Sequence, residues 1–222
     1  MSTDILEDAA TRAALQQAAE FRLIGLLFER PSESRSRHGA ALVAESGVPE
    51  LRKTAGTLLA IESPDYDSLF GPGGPASPRE AAYIGRRDPA RAMAEAGHLY
   101  EAFGFRPVSG EPPDHVASET GFAAYLWLKE AYALARGDGD AAGITRAARE
   151  KFFEDHLSVV AGGMATRLAA CPVDAWTTLA ERLLALVGGR RLTEDELDGI
   201  ESSDEMACGA CGDDGEGGPP AV

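Results

Sequence analysis

The sequence predicts an all-α protein: one globular bundle of roughly seven to nine helices, no sheet, and a disordered acidic C-terminal tail. Three observations carry this expectation. Apolar residues recur at three- and four-residue steps along most of the chain. No stretch combines strict alternation with β-branched enrichment, the pattern of a half-buried strand. After Arg191 there is no basic residue, and the chain turns to Gly, Asp, Glu and Pro, a composition unable to bury a core.

The elements follow in order. Leu15, Ala19, Leu23 and Leu26-Leu27 put one apolar stripe on a first helix that ends near Phe28 and is stopped by Pro31. Helices over Arg35–Glu45 and Pro49–Ile61 come next, with Gly47 as the break. The run Phe70-Gly71-Pro72-Gly73-Gly74-Pro75, continuing to Ser77-Pro78, is too rich in turn formers to be helix or strand. Helices resume at Pro89–Phe103, Asp114–Ala135, Ala141–Ala169 and Val173–Val187, the third bent around Gly162-Gly163. A short acidic helix, Glu194–Ile200, precedes the tail. Between Glu119 and Lys129 there is no charge, and Phe122, Tyr125, Leu126, Trp127 and Leu128 crowd every face. A helix apolar all round belongs at the centre of a bundle. There is no internal repeat. The reading is one helical domain over residues 1–190 and an acidic, Gly-rich extension over residues 191–222.

Composition narrows the function. With 44% hydrophobic residues a sizeable core is available. No apolar run reaches the ~18–20 residues of a membrane helix, and Met1 to Asp8 carries acids instead of a basic, then apolar, secretory leader. Cytoplasmic residence without membrane insertion is therefore expected. The net charge of −15, concentrated after Arg191, disfavours nucleic acid and favours a basic peptide as partner. Cys171, Cys208 and Cys211 do not make a disulfide framework. Cys171 reads as a small buried hydrophobe. Cys208-Gly209-Ala210-Cys211 supplies two of the four ligands of a closed metal site and is read as holding no metal stably within one chain, a transient or intersubunit site being the alternative.

The most informative stretch is Glu111-Pro112-Pro113-Asp114-His115-Val116-Ala117-Ser118-Glu119. Two prolines stiffen its start, and Asp114 is placed as an N-cap. His115 and Glu119, four apart, share one face, so the carboxylate can orient or charge the imidazole. On residue chemistry alone this is either a capped helix with a satisfied histidine or a recognition site on a rigid element. A helical metalloprotein is the competing class, because Glu95-Ala96-Gly97-His98 is half of a di-iron motif. The second half is missing, since Pro112 and Phe153 stand three residues before His115 and His156. Asp114-His115 and Asp155-His156 invite a metallohydrolase reading, but in reversed order for the usual dyad. No phosphate-binding loop is present, and no cofactor is expected. A scaffold bundle without a binding groove is the third class.

A set of motifs in fixed order decides among these. Glu-Pro-x-Asp-His-(aliphatic)-x-x-Glu, spanning Glu111 to Glu119, resembles the signature of the TorD/DmsD/NarJ family of redox-enzyme maturation chaperones. Tyr66-Asp67-Ser68-Leu69-Phe70, Pro78-Arg79-Glu80-Ala81-Ala82-Tyr83, Tyr100-Glu101-Ala102-Phe103-Gly104-Phe105 and Phe152-Phe153-x-x-His156-Leu157 resemble further segments of that family, in its order. The resemblance implies an all-helical, non-catalytic chaperone. It would bind the twin-arginine signal peptide or N-terminal segment of a molybdoenzyme catalytic subunit and hold it for molybdopterin insertion, as monomer or homodimer. The peptide-binding residues it implies are Pro112, Asp114, His115 and Glu119, with Pro78 and Tyr83. A groove with Asp114, Glu119, Glu111 and Glu80 at its rim and Phe70, Tyr83 and Phe103 in its wall would complement a basic head and an apolar body.

Overall fold

The computed structural model describes residues 8–85 and 87–200, except the side chain of Glu45. Residues 201–222 of the expected extension, with the Cys208/Cys211 pair, lie outside the described residues. Among them the chain forms helices α1 (Ala9–Phe28), α2 (Glu33–Glu45), α3 (Pro49–Leu58), α4 (Ser63–Phe70), α5 (Pro89–Phe103), α6 (Val116–Ala135), α7 (Gly139–Phe152), α8 (Ser158–Arg167) and α9 (Asp174–Val187). A π turn over Phe153–Leu157 joins α7 to α8, and there is no strand among the described residues. The all-α expectation holds.

The long helices α1 and α6 make the central pair. A side chain at Gly25 would collide with Thr120 of α6, so glycine there sets their close approach. Phe21, Ile24 and Leu27 of α1 and Phe122, Ala123 and Leu126 of α6 are buried in the same core. On the other flank of α6, Glu130 is buried and pairs with Arg146 and Arg149 of α7. The position of α6 is less enclosed than its sequence suggests. Leu128 and Tyr132 are 48% and 65% exposed, so its C-terminal half shows one open apolar face.

α9 closes the bundle against α3 and α8. Its Trp176 is fully buried, with ring centroids 5.8 Å from Phe28 and 4.8 Å from Phe70. Arg182 of α9 clamps Glu20 of α1 with contacts of 2.6 and 3.0 Å. Residues 194–200 are helical, and residues 192–200 pack on the body. Thr166 donates to the Leu192 carbonyl at 2.6 Å, and Leu197 is buried in the core.

Two sequence expectations need correction. α8 runs unbroken through Gly162-Gly163, where the sequence predicts a bend, and the helix is interrupted instead by the π turn at Phe153–Leu157. These glycines serve close packing: a Cβ at Gly162 would strike the Arg190 carbonyl, and one at Gly163 the Tyr83 ring. The helix α4 was absent from the sequence reading, because its Ser-Pro start reads equally well as a turn.

The C-terminal end of α1 lacks a basic residue in its last turn. Arg35, fully buried, fills that role from α2. It donates to the carbonyls of Leu26, Leu27 and Leu58 at 3.1, 2.8 and 3.2 Å, tying α1 to α3. Arg35→Leu is therefore expected to reduce the unfolding free energy by about 2–4 kcal/mol, as measured by urea titration, because three buried carbonyls lose a charged donor. A loss within the error of the titration would show that the carbonyls find other partners.

Candidate functional site

After α4 the chain makes a strap, residues 71–85, that crosses the start of α6. Its turns are those the Gly/Pro composition implies, with Gly73 at φ +79°. A short antiparallel bridge joins it to the signature segment: Glu80 N–H donates to the Asp114 carbonyl and Val116 N–H to the Pro78 carbonyl, both at 2.8 Å. The Arg79 guanidinium grips the Asp114 carboxylate at 2.7 to 3.0 Å. Tyr83 lies on α8 at Gly163, its hydroxyl donating to the Ser77 carbonyl at 2.7 Å.

Between the strap, α4 and the signature segment runs an open groove of about 640 Å³. Pro78, Glu111, Pro112 and His115 line it, as do Arg30, Tyr66, Asp67, Phe70, Gly71–Gly74, Ser77 and Arg79. The other sequence-named residues lie elsewhere. Asp114 and Glu119 are fully buried, as is Glu80, and Tyr83 braces the strap from behind. None of the four lines the groove, so the rim drawn from sequence is corrected to Asp67 and Glu111, whose side chains are 37% and 28% exposed. Of the expected aromatic wall, Phe70 lines the groove, while Phe103 packs near Phe122 with ring centroids 6.0 Å apart.

The helix cap also differs from expectation. α6 begins at Val116, and its N-cap is His115, whose Nδ1 accepts from Ala117 N–H at 3.1 Å. Asp114 is occupied by Arg79 and is not the cap. With Nδ1 accepting, the ring proton of neutral His115 sits on Nε2, which faces Glu111 Oε2 at 3.8 Å. Burial holds the His115 pKa down at about 4 despite the Asp114 charge, and Arg79 adds to the depression. Burial raises the Glu111 carboxyl above its ordinary value and Glu29 adds to this, against the pull of Arg30 and Arg79. The expected His115–Glu119 pair does not form.

Arg30, Tyr66, Asp67 and Arg79 are lining side chains to which the sequence assigns no binding role. Tyr66 and Asp67 stand in a recognised motif, and the Tyr66 hydroxyl donates to the Phe28 carbonyl at 2.8 Å. Asp67 is ion-paired with Arg30. Arg30 has no motif to mark it.

The residues considered for metal have other partners or other surroundings. Glu95 is held by Arg87 and Arg91, and His98 is exposed. His156 is buried against Glu80, its Nδ1 3.0 Å from Oε2. Among the described residues no group of three or more His, Cys, Asp or Glu could hold a metal ion. No helix among them is long and apolar enough to cross a membrane.

Glu119 is the anomaly beneath the site. Neither carboxylate oxygen has a hydrogen-bond partner. Burial, then the charges of Glu80 and Asp114, push its pKa well above the ordinary 4.5. Above 4.5 the unfolded chain loses this proton while the folded chain keeps it, so stability falls as pH rises through that window. Glu119→Gln keeps the shape and deletes the ionisation. Its melting temperature should match the parent below pH 4.5 and exceed it by a widening margin toward neutrality. A pH-independent offset in thermal melts would contradict the proton assignment.

Comparison with known proteins agrees with this architecture. No curated protein matches the chain. A solved structure from Archaeoglobus fulgidus, described as a candidate redox enzyme maturation protein, aligns with a TM-score of 0.50 and 19% identity. The match covers 77% of this chain and 93% of the other, a likeness of fold. A sequence profile described as nitrate reductase delta subunit matches residues 41–165, more than half of the chain and all of the groove except Arg30. The chain thus belongs to the nitrate reductase delta subunit family, the group of redox-enzyme maturation chaperones that its ordered motifs resemble.

Proposed function

We propose that this protein is a non-catalytic chaperone dedicated to one redox system. It binds the signal peptide or N-terminal segment of a molybdoenzyme catalytic subunit in the groove between the strap and the signature segment. It acts in the cytoplasm and holds the subunit while the molybdopterin cofactor is inserted, before export or assembly. Residues 1–190 form the chaperone domain on this reading, and 191–222 an acidic extension.

The observation that carries the reading is the state of Glu111. Arg30 and Arg79 have carboxylate partners in Asp67 and Asp114. Glu111 has none of the described arginines or lysines within ion-pair distance, and its neighbour His115 is neutral. A half-buried carboxylate without a cation is a ready acceptor for an arriving guanidinium. Beside it, Tyr66, Phe70, Pro78 and Pro112 offer apolar surface to the residues that follow. On this reading Pro78, Glu111, Pro112 and His115 touch the peptide, and Asp114, Glu119 and Tyr83 hold the surface that does. The acid and base groups Glu80, Glu119 and His156 are closed off beneath the groove, an arrangement that suits binding better than catalysis.

The test is fluorescence anisotropy of the full chain with a labelled peptide of about twenty residues, two adjacent arginines followed by an apolar run. Saturable binding is expected, weakening as salt is raised. Lysines in place of the arginines, or Glu111→Gln in the protein, should each weaken it by about tenfold, ~1.4 kcal/mol. Absence of saturable binding, or equal affinity for both peptides, would sink the proposal.

A further inference from the structure

We infer that His156 is a positioning residue of the groove: it holds Glu80 inside the body and, through it, sets the strap that forms the groove wall. The inference rests on the peptide-binding reading and names a residue 76 positions from Glu80 in sequence that would govern that site.

The geometry is specific. The bridge fastens the strap to the start of α6 at Pro78 and Glu80, and the Arg79–Asp114 pair reinforces the same edge. From this edge Glu80 reaches across to the π turn, and its carboxylate is wholly buried. Its Oε2 meets Nδ1 of His156 at 3.0 Å, while its Oε1 has no partner. Asp114 and Glu119 are the acids beside Glu80, and Asp114 is already committed to Arg79. Neither Glu119 oxygen has a hydrogen-bond partner. His156 is therefore the one donor, among the described residues, to the Glu80 carboxylate.

His156 is presented by the π turn between α7 and α8, an insertion in the helical ladder of the kind that re-aims side chains at functional sites. His156 and Leu157 are both buried there, and the imidazole packs on Phe152 with ring centroids 5.3 Å apart. Without the imidazole, the buried Glu80 carboxyl group would lose its one hydrogen-bond partner, beside two other acids. The favourable response is for Glu80 to turn toward water. Its N–H is bonded to the Asp114 carbonyl, so that rotation opens the bridge and draws Pro78 and Arg79 out of the groove wall.

The experiment uses the full chain and the paired-arginine peptide. His156→Ala should weaken peptide binding by about tenfold with helix content unchanged by circular dichroism. His156→Asn, whose amide nitrogen can occupy the Nδ1 position, should restore affinity to within about threefold of the parent. Hydrogen exchange at the Glu80 and Val116 amides should accelerate in His156→Ala and return to the parental rate in His156→Asn, with the interior of α6 unaffected. If His156→Ala loses its helix content, Glu80→Ala replaces it, with the same loss of affinity expected. Parental affinity in the folded alanine variant, or failure of asparagine to rescue, overturns the role of His156. If the parent does not bind the peptide, the functional reading fails, and the exchange rates still decide whether His156 sets the strap.

Discussion

The structure turns on one junction, where the strap crosses the first turn of α6. Two bridge hydrogen bonds and one forked arginine–carboxylate pair join segments 35 residues apart in sequence. Everything that defines the groove depends on it. The strap supplies one wall, the signature segment another, and α4 with Tyr66 and Phe70 the floor. That floor rests on Trp176 of α9, which stacks on Phe28 at the end of α1. The groove is a surface feature whose shape is fixed from below by the helical core.

Charge burial at this junction is unusual. Glu80, Asp114 and Glu119 are all inside, and each is managed differently: by a histidine, by an arginine, and by keeping a proton. The last solution and the neutral state of His115 pull stability in opposite directions. Glu119 holds a native proton that the unfolded chain loses above 4.5, so its contribution declines with rising pH. His115, native at about 4 and ordinarily 6.5, resists a proton that the unfolded chain accepts, so its contribution is lost as pH falls between those values. Above 4.5 the Glu119 slope opposes that of His115 and flattens the pH dependence of the junction.

Much of the fold was legible in the sequence because helical periodicity is a local signal. α5 spans the predicted residues, Pro89–Phe103, since Asp88 caps its start and Gly104 ends it in a left-handed turn. The start of α6 lies two residues beyond the predicted one because Asp114 is a stronger cap than His115 by composition. Only the long-range claim of Arg79 on Asp114 settles which of them serves. The glycine pair in α8 looked like a bend because its packing partners, Arg190 and Tyr83, are remote in sequence. For the site, the motifs located the right region and misjudged the depth of its residues. Glu111 and Pro112 face the groove, while Glu119, on the same short segment, faces the core. Nothing in the spacing distinguishes an acid that meets a ligand from one that the fold encloses.

That distinction changes what the motif residues mean. Tyr66 secures α4 to the end of α1, Tyr83 braces the strap, and the Tyr100 hydroxyl donates to the Pro113 carbonyl at 2.7 Å. His156 and Glu80 tie the strap to the far helices. Most of the ordered motif set is thus a collection of fasteners converging on one junction, and few of its members face solvent. A chaperone that reads an extended, variable segment gains from such an arrangement, because preorganising the receiving surface reduces the entropy lost on binding. The surface residues can then vary with the ligand, while the buried ones preserve the shape that receives it. Specificity on the proposed reading resides in Arg30 and Asp67, which no motif residue fixes, together with Glu111, the part-exposed residue that opens the signature.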